Sequence, residues 1–131
     1  MSLILVVEDE PGVRRTMADW LASDGYQVAT AADVGQTVAF FQAGRRPDVA
    51  LVDIKLPDGD GFALADRLRE EFAFERVIYV TAFFWEEETR RELAARGQPY
   101  FEKPLKFHRE VLPFLRRYLG RGETEAGGAS R

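Results

Sequence analysis

Residues 3–11 read LILVVEDEP, five aliphatic residues followed at once by three acids and a proline. A short apolar run bounded by charge, with β-branched members, predicts a strand buried on both faces, as in a parallel sheet. Pro11 then suits the first turn of a helix, where its missing N–H would be unpaired anyway. Glu8, Asp9 and Glu10 side by side repel one another, so a strand that ends there needs something to offset that charge.

Outward from this stretch the same alternation repeats. Val13, Met17, Trp20 and Leu21 share one helical face, and Gly25 suits a left-handed helix end. YQVAT (26–30) predicts a second strand, and Asp33 can cap a helix carrying Val34, Val38 and Phe41 on one face before Gly44. DVALVD (48–53) is a third buried strand, and LPDGDG (56–61) has the chemistry of a turn. Leu64, Ala65, Leu68 and Phe72 mark a third helix. VIYVT (77–81) is a strand, 86–96 a helix, PYFE (99–102) a strand and 107–119 a last helix. Pro113 should kink that helix or mark a late start. Five β-α units predict an α/β fold with a five-stranded parallel sheet, doubly wound (βα)5 and flavodoxin-like, of strand order 2-1-3-4-5.

Composition narrows the function classes. The chain has 131 residues, which suits one domain, at 1–119, with 120–131 an apolar-poor disordered tail or linker. A net charge of −4 gives no general basic footprint for nucleic acid. The absence of cysteine excludes disulfides, thiolate metal sites and a cysteine nucleophile. No apolar run approaches the roughly 18 residues of a membrane span, and nothing before the first strand reads as a signal peptide. A cytoplasmic domain that touches neither membrane nor nucleic acid is the expectation.

In a doubly wound sheet the ligand site lies beyond the carboxyl ends of the strands. Glu8 and Asp9 end the first strand, Asp53 the third, Thr81 the fourth and Lys103 follows the fifth. Three acids, a hydroxyl and an ammonium therefore converge on one edge. Two unit charges about 4 Å apart interact by roughly 4 kcal/mol at an effective dielectric near 20, so the carboxylates call for a cation. Oxygen ligands without sulfur or histidine favour a hard ion such as Mg²⁺. Asp53 then reads as both metal ligand and nucleophile, an aspartyl-phosphate acceptor. Lys103 can pair with a phosphoryl oxygen, and Thr81 can donate to another. Glu10 belongs to the helix start, favoured by the macrodipole.

The acidic pair ED at 8–9, LVDIKLPDGDG around Asp53, VTA at 80–82 and KP at 103–104 together resemble response-regulator receiver domains, and the resemblance runs from Leu3 to Leu119. It implies Mg²⁺-dependent phosphoryl transfer to Asp53 from a sensor histidine kinase or a phosphotransfer protein, by a phosphoacceptor and not a conventional enzyme. It implies that Asp9 and Asp53 hold Mg²⁺ directly, Glu8 through water and Lys55 through its carbonyl. Thr81, the Ala82 amide and Lys103 would contact the phosphoryl group. A cis bond before Pro104 would aim Lys103 inward, and Tyr100 matches an aromatic that turns inward on phosphorylation. The output surface would be the fourth helix, fifth strand and fifth helix, facing a second copy or a different protein.

Three features depart from the family pattern: the aromatic loop FFWEEE after Ala82, Pro99 before the fifth strand, and Pro113. Of Phe83, Phe84 and Trp85, one or two should fold back into the core. His108, the sole histidine, reads as a surface helix residue. Haloacid-dehalogenase enzymes also use an aspartyl nucleophile with Mg²⁺. Their D-x-D pattern is broken here by Lys55, and no cap-sized insertion exists. The remaining alternative is a degenerate receiver that binds partners without phosphorylation, against which stands the complete set of acceptor residues. No effector domain follows Leu119, so either a single-domain receiver or a longer regulator cut at its linker is expected.

Overall fold

The computed structural model describes residues 2–127. Its five-stranded sheet contains β1 (Leu3–Val7), β2 (Gln27–Ala31), β3 (Val49–Asp53), β4 (Val77–Thr81) and β5 (Tyr100–Glu102). The strand order is β2-β1-β3-β4-β5, parallel throughout. The helices are α1 (Pro11–Ser23), α2 (Val34–Gln42), α3 (Gly61–Phe72), α4 (Glu87–Arg96) and α5 (Leu112–Gly127). No described helix is long and apolar enough to cross a membrane.

Alternation along the central strands divides the core. Leu5, Val7, Ala50, Val52, Val77 and Tyr79 pack against α2, α3 and α4. Ile4, Val6, Val49, Leu51, Ile78 and Val80 face Met17 and Leu21 of α1 and Leu115 of α5. Every residue of β3 and β4 is buried, whereas the edge strands β2 and β5 are partly exposed. That contrast explains why the central strands read as unbroken apolar runs.

Local chemistry sets the element ends. Pro11 opens α1, Asp33 caps α2 by accepting from Gln36 N at 2.7 Å, and Gly97 closes α4 at φ 71°. LPDGDG proves to be more than a turn: Lys55–Leu56 and Gly59–Asp60 pair as a two-residue antiparallel ribbon. A Cβ at Gly61 would lie 2.6 Å from the Asp53 carbonyl oxygen, so only glycine allows α3 to start this close to β3. Pro113 falls at the second residue of α5, directly after a π-helical turn at Phe107–Val111. There Val111 N reaches back to Lys106 O at 3.4 Å, and the wide turn precedes the proline that cannot donate. Trp20, expected within the α1 core face, is 37% exposed and instead packs on Phe107 in a tilted arrangement with ring centroids 5.0 Å apart. α5 runs on to Gly127, past the expected Leu119 boundary. The remainder of the expected tail, 128–131, lies outside the described residues.

One ion pair ties α3 to α4. Arg96 donates to both oxygens of Asp66, at 2.9 and 3.0 Å, while its Nε donates to Glu92 and its plane lies over Phe62. The Arg96 hydrogen bonds hold the Asp66 carboxyl below the usual carboxylate range. Such a group contributes stability above its ordinary value of 3.8 and loses it as pH falls through its lower folded value. The Asp66 side chain is 38% exposed, so solvent screening limits the contribution to about 1 kcal/mol or less. Asp66→Asn is expected to lower urea stability at pH 7 by that amount, with the difference from wild type shrinking as pH drops below 3.8.

Candidate functional site

Parallel strands bring their carboxyl ends to one edge, and the acidic residues arrive there from different elements. Glu8 and Asp9 follow β1, Asp53 ends β3, and Lys103 follows β5. Glu8 and Asp53 are 2% and 6% exposed, while Asp9 is open to solvent. One carboxylate oxygen from each of the three lies within 4.8 Å of the others. Lys103 Nζ sits between the two buried acids, 2.8 Å from Glu8 Oε1 and 2.9 Å from Asp53 Oδ2. The Lys103–Pro104 bond is cis, as the resemblance implies.

Backbone donors fix the remaining oxygens. Glu10 N donates to Glu8 Oε2 at 3.2 Å, and Lys55 N donates to Asp53 Oδ1 at 3.3 Å. Burial pushes the Glu8 carboxyl above its ordinary range; the Lys103 hydrogen bond opposes that rise and the Asp53 charge adds to it. Burial also works against the charge on Lys103, yet its hydrogen bonds to Glu8 and Asp53 outweigh that and hold the ammonium above its usual value. Three carboxylates against one ammonium leave the cleft with excess negative charge. Clustered, hard oxygen donors with that imbalance fit a divalent cation of the Mg²⁺ type.

The sequence-predicted residues divide into groups. Glu8, Asp9, Asp53, Lys55, Ala82 and Lys103 all line one open cleft of about 610 Å³. Thr81 is fully buried beside it, and its Oγ1 accepts from Phe83 N at 2.8 Å while its carbonyl accepts from Lys103 N at 2.7 Å. Tyr100 stands apart at the sheet edge, 38% exposed and stacked on Phe84 with ring centroids 5.4 Å apart. Of the aromatic loop, Phe84 packs on the core, whereas Trp85 is 71% exposed. Phe83 is half-buried at the cleft rim, with Lys55 Nζ 5.0 Å from its ring centre and 3.6 Å from Glu86 Oε1. His108 is an exposed helical residue beside Trp20.

Sequence reasoning missed Arg14. Its guanidinium donates to the carbonyl of Glu8 at 2.8 Å and to that of Asp9 at 3.3 Å, bracing the acidic loop from the first turns of α1. A basic residue five positions beyond an acidic pair was the available signal, but nothing in spacing says that it would bind carbonyls instead of carboxylates.

A doubly wound parallel α/β domain with an acidic cleft at its carboxyl edge, spanned by one lysine, is the class that fold and site define. The model of the response regulator receiver domain matches residues 4–112, and the chain belongs to that family. It is 31% identical over 107 residues to the transcriptional regulatory protein YxdJ of Bacillus subtilis, covering 82% of this chain and 46% of YxdJ. It is 38% identical over 103 residues to the sensor histidine kinase RcsC of Escherichia coli, covering 79% of this chain and 11% of RcsC. The chain thus spans less than half the length of these relatives. Among solved structures, the response regulator TrrA of Thermotoga maritima in complex with Mg²⁺-BeF superposes with TM-score 0.77 at 27% identity, over 91% of this chain and all of TrrA. The chemotaxis protein CheY4 of Vibrio cholerae gives TM-score 0.78 at 29% identity, over 91% of this chain and 99% of CheY4.

The lysine bridge makes its own prediction. Removing the cation from a buried pair leaves the acids uncompensated and costs about 3–5 kcal/mol, less here because the cleft is open. Lys103→Met is expected to destabilise the metal-free protein by about 2–3 kcal/mol in urea unfolding. Adding Asp53→Asn to that variant should recover a large part of the loss, since one of the two facing charges is gone.

Proposed function

We propose that this chain accepts a phosphoryl group on Asp53 from a phosphohistidine of a sensor histidine kinase or phosphotransfer protein, and thereby switches an output surface. The observation that carries this reading is the Asp53 carboxylate, nearly buried, held by Lys55 N on one oxygen and Lys103 Nζ on the other, and facing an open cleft. These contacts fix the carboxylate for attack along one direction. An Asp53 oxygen forms a bond to phosphorus while the donor's nitrogen–phosphorus bond breaks. The imidazole nitrogen retains that electron pair and takes up a proton. Lys103 stays beside the new acyl phosphate and balances the charge carried onto its oxygens. Thr81 and the Ala82 amide are the further donors within reach of the same edge.

Glu8, Asp9, Asp53 and the Lys55 carbonyl would hold Mg²⁺. When bound, the ion offsets the repulsion between an anionic phosphodonor and an anionic acceptor. The TrrA complex with Mg²⁺-BeF supports this assignment by similarity. Receipt from a histidine kinase draws support from the relationship to RcsC.

For output, the Thr81 hydroxyl is the link. It now accepts from Phe83 N, so drawing it toward a phosphoryl group releases the head of the aromatic loop. Phe84 and Tyr100 are stacked on each other and shift together, changing the face made by α4, β5 and α5. Trp85 at its edge supplies the aromatic anchor that interfaces favour, for a second copy or a different protein.

Incubation with acetyl phosphate and Mg²⁺ tests the acceptor role by intact mass. Wild type should gain one phosphoryl group, Asp53→Asn none, and Asp9→Asn far less than wild type at equal Mg²⁺. Undiminished labelling of Asp53→Asn would overturn the reading.

A further inference from the structure

The turn that follows the acceptor strand is anchored on α2, the neighbouring helix of the same layer, by a residue outside the acidic cleft. Asp58 Oδ1 accepts from Val34 N at 2.8 Å and Asp58 Oδ2 accepts from Gly35 N at 3.0 Å, contacts that span 24 and 23 residues. Val34 and Gly35 are the first two residues of α2, whose own cap, Asp33, accepts on its side chain from Gln36 N, while its carbonyl takes the first helical bond from Thr37 N. A helix start presents four N–H groups without intrahelical partners. Here the Asp33 side chain satisfies Gln36 N, while Asp58 satisfies both Val34 N and Gly35 N. The first turn of α2 is complete only when the 55–60 ribbon is docked on it.

The docking is close as well as polar. A Cβ at Gly59 would lie 3.2 Å from Val34 Cγ2, so the ribbon backbone lies directly on the α2 start. The other end of the ribbon is tied to the acceptor strand, since Gly61 N donates to Ile54 O at 2.7 Å and Lys55 pairs with Asp60. Lys55 N in turn donates to Asp53 Oδ1. A continuous path of short contacts therefore runs from α2 through Asp58 and the ribbon to the Asp53 carboxylate. The two backbone donors also hold the Asp58 carboxyl below its usual range, so it is a charged acceptor at neutral pH.

We infer that Asp58 is a positioning residue for the acceptor site, clamping the ribbon so that the Lys55 peptide is set for both Asp53 and a bound divalent cation. The cation half of this rests on the function proposed above; the clamping half does not. Groups that orient metal ligands from behind typically change metal affinity about 10–100-fold when removed.

The test compares two caps of the same helix. Asp58→Ala and Asp33→Ala each remove one carboxylate from the α2 start, and both should lower the melting temperature. Only Asp58→Ala should speed hydrogen exchange of the Lys55 and Gly61 amides in metal-free protein, by about 10-fold or more. Only Asp58→Ala should weaken Mg²⁺ binding measured by calorimetry, about 10-fold. Asp58→Asn, which keeps one acceptor oxygen, should recover most of both effects. Equal exchange rates in the two alanine variants, or equal Mg²⁺ affinities alongside them, would overturn the inference. Should wild type bind no Mg²⁺, the proposed function fails, while the exchange comparison still decides whether Asp58 clamps the loop.

Discussion

Lys103 reaches back to two carboxylates, Glu8 and Asp53, that lie 95 and 50 residues earlier in the chain. This three-way contact joins the ends of β1, β3 and β5, and the rest of the site is arranged around it. Two buried acids this close would each raise the other's cost of ionisation; one ammonium between them makes the folded arrangement tolerable. It does not make it neutral, because Asp9 adds a third charge that no described lysine or arginine side chain meets in an ion pair. The residual charge is what makes the cleft fit a divalent cation.

Around that centre the backbone is held from several sides. Arg14 takes the carbonyls of the acidic loop, the Gly61 amide takes Ile54 O, and Asp58 moors the ribbon to α2. None of these groups faces the cleft chemistry directly. Their common effect is to remove slack from the loops that carry the acids, which matters because positional error of about 1 Å can cost orders of magnitude in rate. The aromatic loop beyond Thr81 is held differently. Phe83 N donates to the Thr81 hydroxyl, Glu86 N to Phe83 O and Arg90 to Phe84 O, while Phe84 packs on the core and stacks on Tyr100.

Much of this architecture was readable from residue order. The β3 and β4 runs are buried on both faces, so apolar content alone located them, and the β-α alternation then dictated parallel pairing and a shared edge for Glu8, Asp9, Asp53 and Lys103. Features set by geometry between distant segments were not readable. The ribbon at 55–60 is too short to carry a period, and its partner on α2 lies more than 20 residues away. The π turn before Pro113 is a local compromise in hydrogen bonding, and sequence signalled only that something must change there. Trp20 matched the periodicity of α1, yet its position at the rim of the helix face, over Phe107, left it partly in solvent. Likewise the strand end placed Thr81 correctly, but only coordinates show its hydroxyl engaged with its own loop.

The central claim is that excess negative charge at the carboxyl edge makes a divalent cation part of the working protein. Thermal unfolding of the wild-type chain against Mg²⁺ concentration, at constant ionic strength held with NaCl, addresses it without any phosphodonor. A ligand that binds only the folded state adds about 2.7 kcal/mol at a hundredfold excess over its dissociation constant. The predicted result is a melting temperature that climbs steadily with Mg²⁺, with the rise largely lost in Asp9→Asn. A melting temperature indifferent to Mg²⁺, or a rise that Asp9→Asn retains in full, would contradict the account.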